Sequence, residues 1–148
     1  MNPEQQAQIH ELLTKHSTLT LATVNAQGRP ESAPLFYAED DGSLIWVSGL
    51  HSRHSHNLAA NGWAAVTICN EEWSWYDIAG LQMEGQVDLI PSGPARDHAW
   101  ELYKVKFPFA LEFQDEISTS PLYRFMPRWI RLVDNRVRFG YLEEFNLA

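Results

Sequence analysis

Residues 44–68 read LIWVSGLHSRHSHNLAANGWAAVTI. The apolar run from Ser43 to Ser48 predicts a strand. A helix is expected to start near Ser52, with Leu58, Ala59 and Ala60 as good helix formers. It should stop at Asn61-Gly62. WAAVTICN, from Trp63, predicts the next strand. At the strand-to-helix turn stands Arg53, the one Lys or Arg between Pro30 and Ala95, against nine Asp and Glu. Ser52 beside it can cap the helix, and first-turn amides point outward. Amides, dipole, hydroxyl and guanidinium together suit an anion, phosphate above all. His54 and His56 add donors when protonated. The plainer alternative is a serine that only caps and an arginine that only meets solvent.

On the N-terminal side, Asn2 and Pro3 open a helix whose apolar stripe is Ile9, Leu12 and Leu13. The period then drops to two. Leu19 and Leu21 share a face with Thr23 or Asn25, opposite Thr20, Ala22 and Val24. NAQGRP (Asn25–Pro30) is a turn, and ESAPLFYA a second strand in which Pro34 requires an edge or bulge. EDDG turns the chain into the Ser43–Ser48 strand. These three strands predict an antiparallel meander.

On the C-terminal side, AGLQMEGQVDLI predicts a long strand that Gly85 allows to bend. Pro91–Pro94 opens a helix carrying Ala99, Trp100, Leu102 and Tyr103. LYRFMP and RWIRLV read as strands, and Asp134-Asn135 turns the chain into RVRFGY. The order predicts an α+β, mainly β chain whose antiparallel sheet closes toward a barrel with flanking helices.

Composition narrows the functions. The 148 residues fit one domain, 1–148, with 45% apolar and 20% charged residues. A net charge of −8 disfavours nucleic acid and anionic membrane surfaces alike. No apolar run reaches membrane-spanning length. The single cysteine, Cys69, excludes an internal disulfide and a multi-cysteine zinc site. It reads as a free buried thiol between apolar neighbours. The polar N-terminus lacks a signal peptide's apolar core, so the expected location is cytoplasmic.

Other constellations carry less. His51, His54 and His56 have spacing that zinc or copper can use, yet no acidic residue or cysteine stands beside them, so no metal is assigned. Trp73, Trp75 and Tyr76 in an acidic loop suggest a partner surface, a lid, or cover for the barrel end. Arg124, Arg128, Arg131, Arg136 and Arg138 form a basic stripe that suits an anionic ligand, a partner, or plain solvation. No Ser-His-Asp order, Walker loop or dinucleotide fingerprint occurs.

Residues 44–68 resemble the centre of the pyridoxamine 5'-phosphate oxidase-like, FMN-binding split-barrel superfamily. There an apolar strand, a short turn and Ser-Arg-Lys or a variant precede a helix ending in Leu-x-x-Asn. TLATVNAQGRPESAPLFYAEDDG resembles the family's opening hairpin, and LQMEGQVDLI its strand with a central glycine. YKVKFP and RWIRLVDNRVRFG further resemble a small bacterial branch of unassigned activity. The similarity spans roughly residues 10–140.

The resemblance implies an antiparallel split barrel and a homodimer, with FMN in the groove between subunits. It implies that Arg53 and Ser52 hold the phosphate, with His54 where the family often carries Lys. Val47 and Ser48 would lie against the flavin, as would Ala33, Pro34, Leu35 and Phe36 on the second strand. The oxidase's Arg and Lys on that strand are Ser32 and Tyr37 here. Its C-terminal Arg-x-His pair has no counterpart, since no histidine follows His98. The expected function is therefore an FMN-dependent oxidoreductase other than pyridoxamine 5'-phosphate oxidase itself. The rival is a non-enzymatic dimeric module for another flat or anionic ligand, such as haem or deazaflavin.

Overall fold

Asn2 starts the first element through a reciprocal capping box with Gln5, both bonds 2.8 Å long. The computed structural model describes residues 1–147. Its elements in order are α1 (Pro3–Lys15), β1 (Thr18–Val24), β2 (Pro30–Phe36), β3 (Ala38–Asp40) and β4 (Ser43–Val47). Then come α2 (Arg53–Ala60), β5 (Trp63–Cys69), β6 (Ala79–Leu89), α3 (Pro94–Lys106), the short α4 (Gln114–Ile117), β7 (Leu122–Asp134) and β8 (Leu142–Asn146). All eight strands join one antiparallel sheet, ordered β2-β1-β5-β6-β7-β4-β3. β8 adds to the second half of β7. The fold is α+β, mainly β: an antiparallel split barrel with flanking helices, as expected.

Alternation dictates which side chains enter the barrel. On β1, Leu19, Leu21 and Thr23 point inward; on β5, Ala64, Val66 and Ile68 do so. They meet Leu81 and Met83 of β6, Trp46 of β4 and Phe125 of β7 in the main core. α1 closes one side with Ile9, Leu12 and Leu13. Each fully buried large apolar side chain contributes about 1.5–3 kcal/mol relative to exposure.

Several expectations need correction. The meander is interrupted at Tyr37. β2 pairs only with β1, whereas β3 and β4 form a hairpin at the other end of the sheet, on β7. The cause is Tyr37 itself: its ring is wholly buried and its hydroxyl donates to the Leu13 carbonyl at 2.5 Å, which ties the break to α1. LYRFMP and RWIRLV are one strand, β7, continuous through Pro127. The proline sits at the bulge opposite Glu84 and Gly85, where a missing amide costs no ladder bond. RVRFGY is a turn, held by Asn135 and a positive φ at Gly140, and the next strand begins at Leu142. Cys69 is exposed, because β5 turns its odd-numbered residues outward.

The long strand with a bend at Gly85 is present. A Cβ there would collide with the Met126 carbonyl, so the bulge needs glycine. No helix among the described residues is long and apolar enough to cross a membrane.

Candidate anion-binding cleft

The turn between β4 and α2 brings together the residues singled out in the sequence. Ser52 caps α2 by accepting the Ser55 amide at 3.3 Å, and its hydroxyl shares a 2.6 Å bond with Ser55 Oγ. The amides of Arg53 and His54 belong to the first turn, which a helix cannot satisfy from within. The buried Ser48 hydroxyl, just past the end of β4, lies 2.8 Å from His54 Nε2, and Ser52 Oγ lies 3.2 Å from the same nitrogen. Two hydroxyls thus hold one imidazole nitrogen. Burial lowers the His54 pKa from its ordinary value, so the ring is neutral near neutrality. His54 is therefore a neutral polar group there rather than the charged donor that would stand in for lysine.

Arg53 reaches across to β2. Its guanidinium pairs with Glu31 while its side chain stays 82% exposed. Glu31 is held from the other side by Asn57, whose amide donates to Glu31 Oε1 at 2.8 Å and to Thr23 Oγ1 at 2.9 Å. Thr23 and Asn57 are both buried. Thr23, Glu31, Ser32, Ala33, Arg53 and His54 line one open cleft of about 310 Å³.

The remaining candidates divide. Ala33 and Leu35 share the inner face of β2, and Leu35 packs on the main core. Pro34 and Phe36 lie on the outer face; Phe36 meets Phe107 and Phe109 edge-on, each at 5.4 Å. Val47 is half-buried against the two small apolar clusters around Tyr103 and Ile90 and does not line the cleft. Ser32 is exposed at its rim. Tyr37 is in the core, beneath Lys106, whose ammonium lies 4.0 Å from the ring centroid and donates to the His16 carbonyl. Burial raises the Tyr37 pKa and lowers that of Lys106 to about 8.

The C-terminal arginines are largely spent within the chain. Arg124 pairs with Asp40, Arg131 with Glu144 and Arg136 with Asp134, while Arg138 lies over Tyr141. The acidic-loop aromatics are exposed. Trp75 and Tyr76 gather around Phe139, and Asn135 holds their loop by donating to the Trp75 carbonyl. His51 and His56 face each other edge-on, with ring centroids 6.4 Å apart.

Glu31, Asn57 and Thr23 were missed as a unit. The signal for Thr23 was its inward phase on β1. Nothing in a linear pattern joins positions 23, 31 and 57.

An FMN phosphate finds partial fit here. Arg53, two open amides and the Ser52 hydroxyl are the groups that would hold it. No cation is aligned along β2, and an acidic residue already holds the arginine.

The profile of the pyridoxamine 5'-phosphate oxidase family matches residues 5–134. A UPF0306 protein of Yersinia pestis is 28% identical over 141 residues, covering 94% of this chain and 91% of that protein. Among solved structures, a haem-binding protein from Mycobacterium smegmatis superposes with a TM-score of 0.83 at 18% identity, over 99% of this chain. This chain spans 59% of that protein's length. HutZ, a haem storage protein from Vibrio cholerae, gives 0.71 at 20% identity, covering 86% of this chain and 91% of its own. At these identities the structural likeness concerns the fold.

Proposed function

The chain belongs to the pyridoxamine 5'-phosphate oxidase family, and from that premise we propose that it is a homodimeric FMN-binding oxidoreductase other than pyridoxamine 5'-phosphate oxidase itself. The observation that carries this reading is the meeting of Arg53, the capped start of α2 and the inner face of β2 in one cleft. Arg53 and the first-turn amides bind the phosphate. Ser52 fixes the turn. Ser48 holds the His54 ring in place, so that it walls the cleft as a neutral group. Ala33 and Leu35 form the apolar floor of the inner face, while Pro34, Phe36 and Val47 shape the surroundings. FMN, when bound, supplies reversible hydride transfer to and from a small substrate. The protein's part is to position and to exclude water.

A second copy completes the groove. Self-association is supported by the exposed Trp73, Trp75, Tyr76 and Phe139, large apolar side chains of the kind that protein interfaces cover. The work is done without nucleic acid or membrane, in the cytoplasm.

A second reading is favoured by two specific observations. Glu31 engages the arginine and Tyr37 lies in the core, so this site carries less positive charge than a phosphate cradle usually has. The fold neighbours described as haem-binding and haem-storage proteins fit a non-enzymatic module for a flat, anionic ligand. Mass identification of the small molecule that heating releases from purified protein separates the two. FMN supports the oxidoreductase. Haem, or no ligand together with no uptake of added FMN, contradicts it.

A further inference from the structure

We propose that Glu31 is an affinity-setting residue of the Arg53 site: its carboxylate occupies the guanidinium in the free protein and must be displaced by an incoming phosphate monoester. This rests on the reading of Arg53 as the phosphate ligand. Three observations support it. The Glu31–Arg53 pair joins β2 to the first residue of α2, at the cleft where an anion would approach. Glu31 is mostly buried and its second oxygen is fixed by Asn57, which is itself buried and anchored to Thr23. The carboxylate is therefore held in place rather than swinging freely. Arg53, by contrast, is mostly exposed and has freedom to turn toward a ligand.

Chemistry then sets the sense of the effect. A carboxylate and a phosphate present the same kind of oxygen acceptors to one guanidinium. A phosphate dianion carries more charge and more acceptors, so it can displace Glu31, at the cost of breaking an existing pair. A ligand without phosphate never meets that competition. Exposed pairs are weak, about 0.2–1 kcal/mol, so the expected penalty is about 1.4- to fivefold in affinity.

The test measures binding of FMN and riboflavin to the full chain and to Glu31→Gln, Arg53→Ala and the double variant. Gln at 31 keeps an acceptor for Asn57, and a thermal melt checks that each variant is folded. FMN should bind Glu31→Gln about 1.4- to fivefold tighter than the unaltered chain, with riboflavin unchanged. In the Arg53→Ala background the same substitution should give no gain. Loss of FMN affinity in Arg53→Ala, with no gain in Glu31→Gln, overturns the role of Glu31 alone. So does a gain that persists without Arg53, which would be simple charge repulsion. If Glu31→Gln does not fold, Glu31→Ala replaces it, with the same ratio of FMN to riboflavin as readout. Equal FMN binding by Arg53→Ala and the unaltered chain, or none by either, overturns the reading of the site and the inference with it.

Discussion

The Ser48 hydroxyl lies 2.8 Å from Nε2 of His54, joining the end of one strand to the first turn of the helix that follows it. The contact makes His54 part of the frame. Burial holds its pKa below 6.5 in the fold, so the unfolded chain binds the proton more readily. Its contribution to stability is therefore complete above about pH 6.5 and is lost as pH falls through the lowered folded value. Urea unfolding from neutral to acid pH should show a steeper decline for the unaltered chain than for His54→Gln. Parallel curves would mean that His54 is not buried as described.

Asn57 supplies a second test of the same network. Replacing it with Asp sets a second carboxylate beside Glu31, where an amide donated at 2.8 Å. Like charges at that distance cannot both ionise without cost. Asn57→Asp should lose about 1–3 kcal/mol near neutrality and recover part of it as pH drops through the carboxylate range. Denaturant melts at both pH values check this; a loss independent of pH would point to packing rather than charge.

Gly85 should tolerate no side chain. A Cβ would strike the Met126 carbonyl on the neighbouring strand, at the bulge that bends β6 against β7. Gly85→Ala is expected to cost about 1–3 kcal/mol. Gly49, with open space around it and no positive φ, is the control and should accept alanine. Chemical denaturation that ranks the two equally would contradict the bulge geometry.

The aromatic group on the acidic loop should hold two copies together. Light scattering should give a dimer mass at micromolar concentration, and Trp75→Ser with Tyr76→Ser should shift it toward monomer. A monomer mass for the unaltered chain would remove both the interface and any groove between subunits.

Much of the fold was legible because local rules and tertiary packing agree. Asn2 and Ser52 cap where side-chain chemistry says they should. Leu19, Leu21 and Thr23 point inward as the period of two requires. The failures have physical causes. Cys69 looked buried from its apolar neighbours, but phase along a strand outweighs composition. Tyr37 looked like one more strand residue, yet a hydroxyl bond to α1 breaks the strand there. At the site, the helix start and its lone arginine were readable. The partner of that arginine was not, because Glu31 comes to it by sheet pairing and not by spacing.

In the proposed function, Arg53 anchors the phosphate of FMN. Flavin fluorescence titration of Arg53→Ala beside Arg136→Ala tests it most directly, since Arg136 is engaged with Asp134. Arg53→Ala should weaken FMN binding about ten- to hundredfold, with Arg136→Ala close to the unaltered chain. Equal, small effects from both would place the phosphate elsewhere or show that FMN is not the ligand.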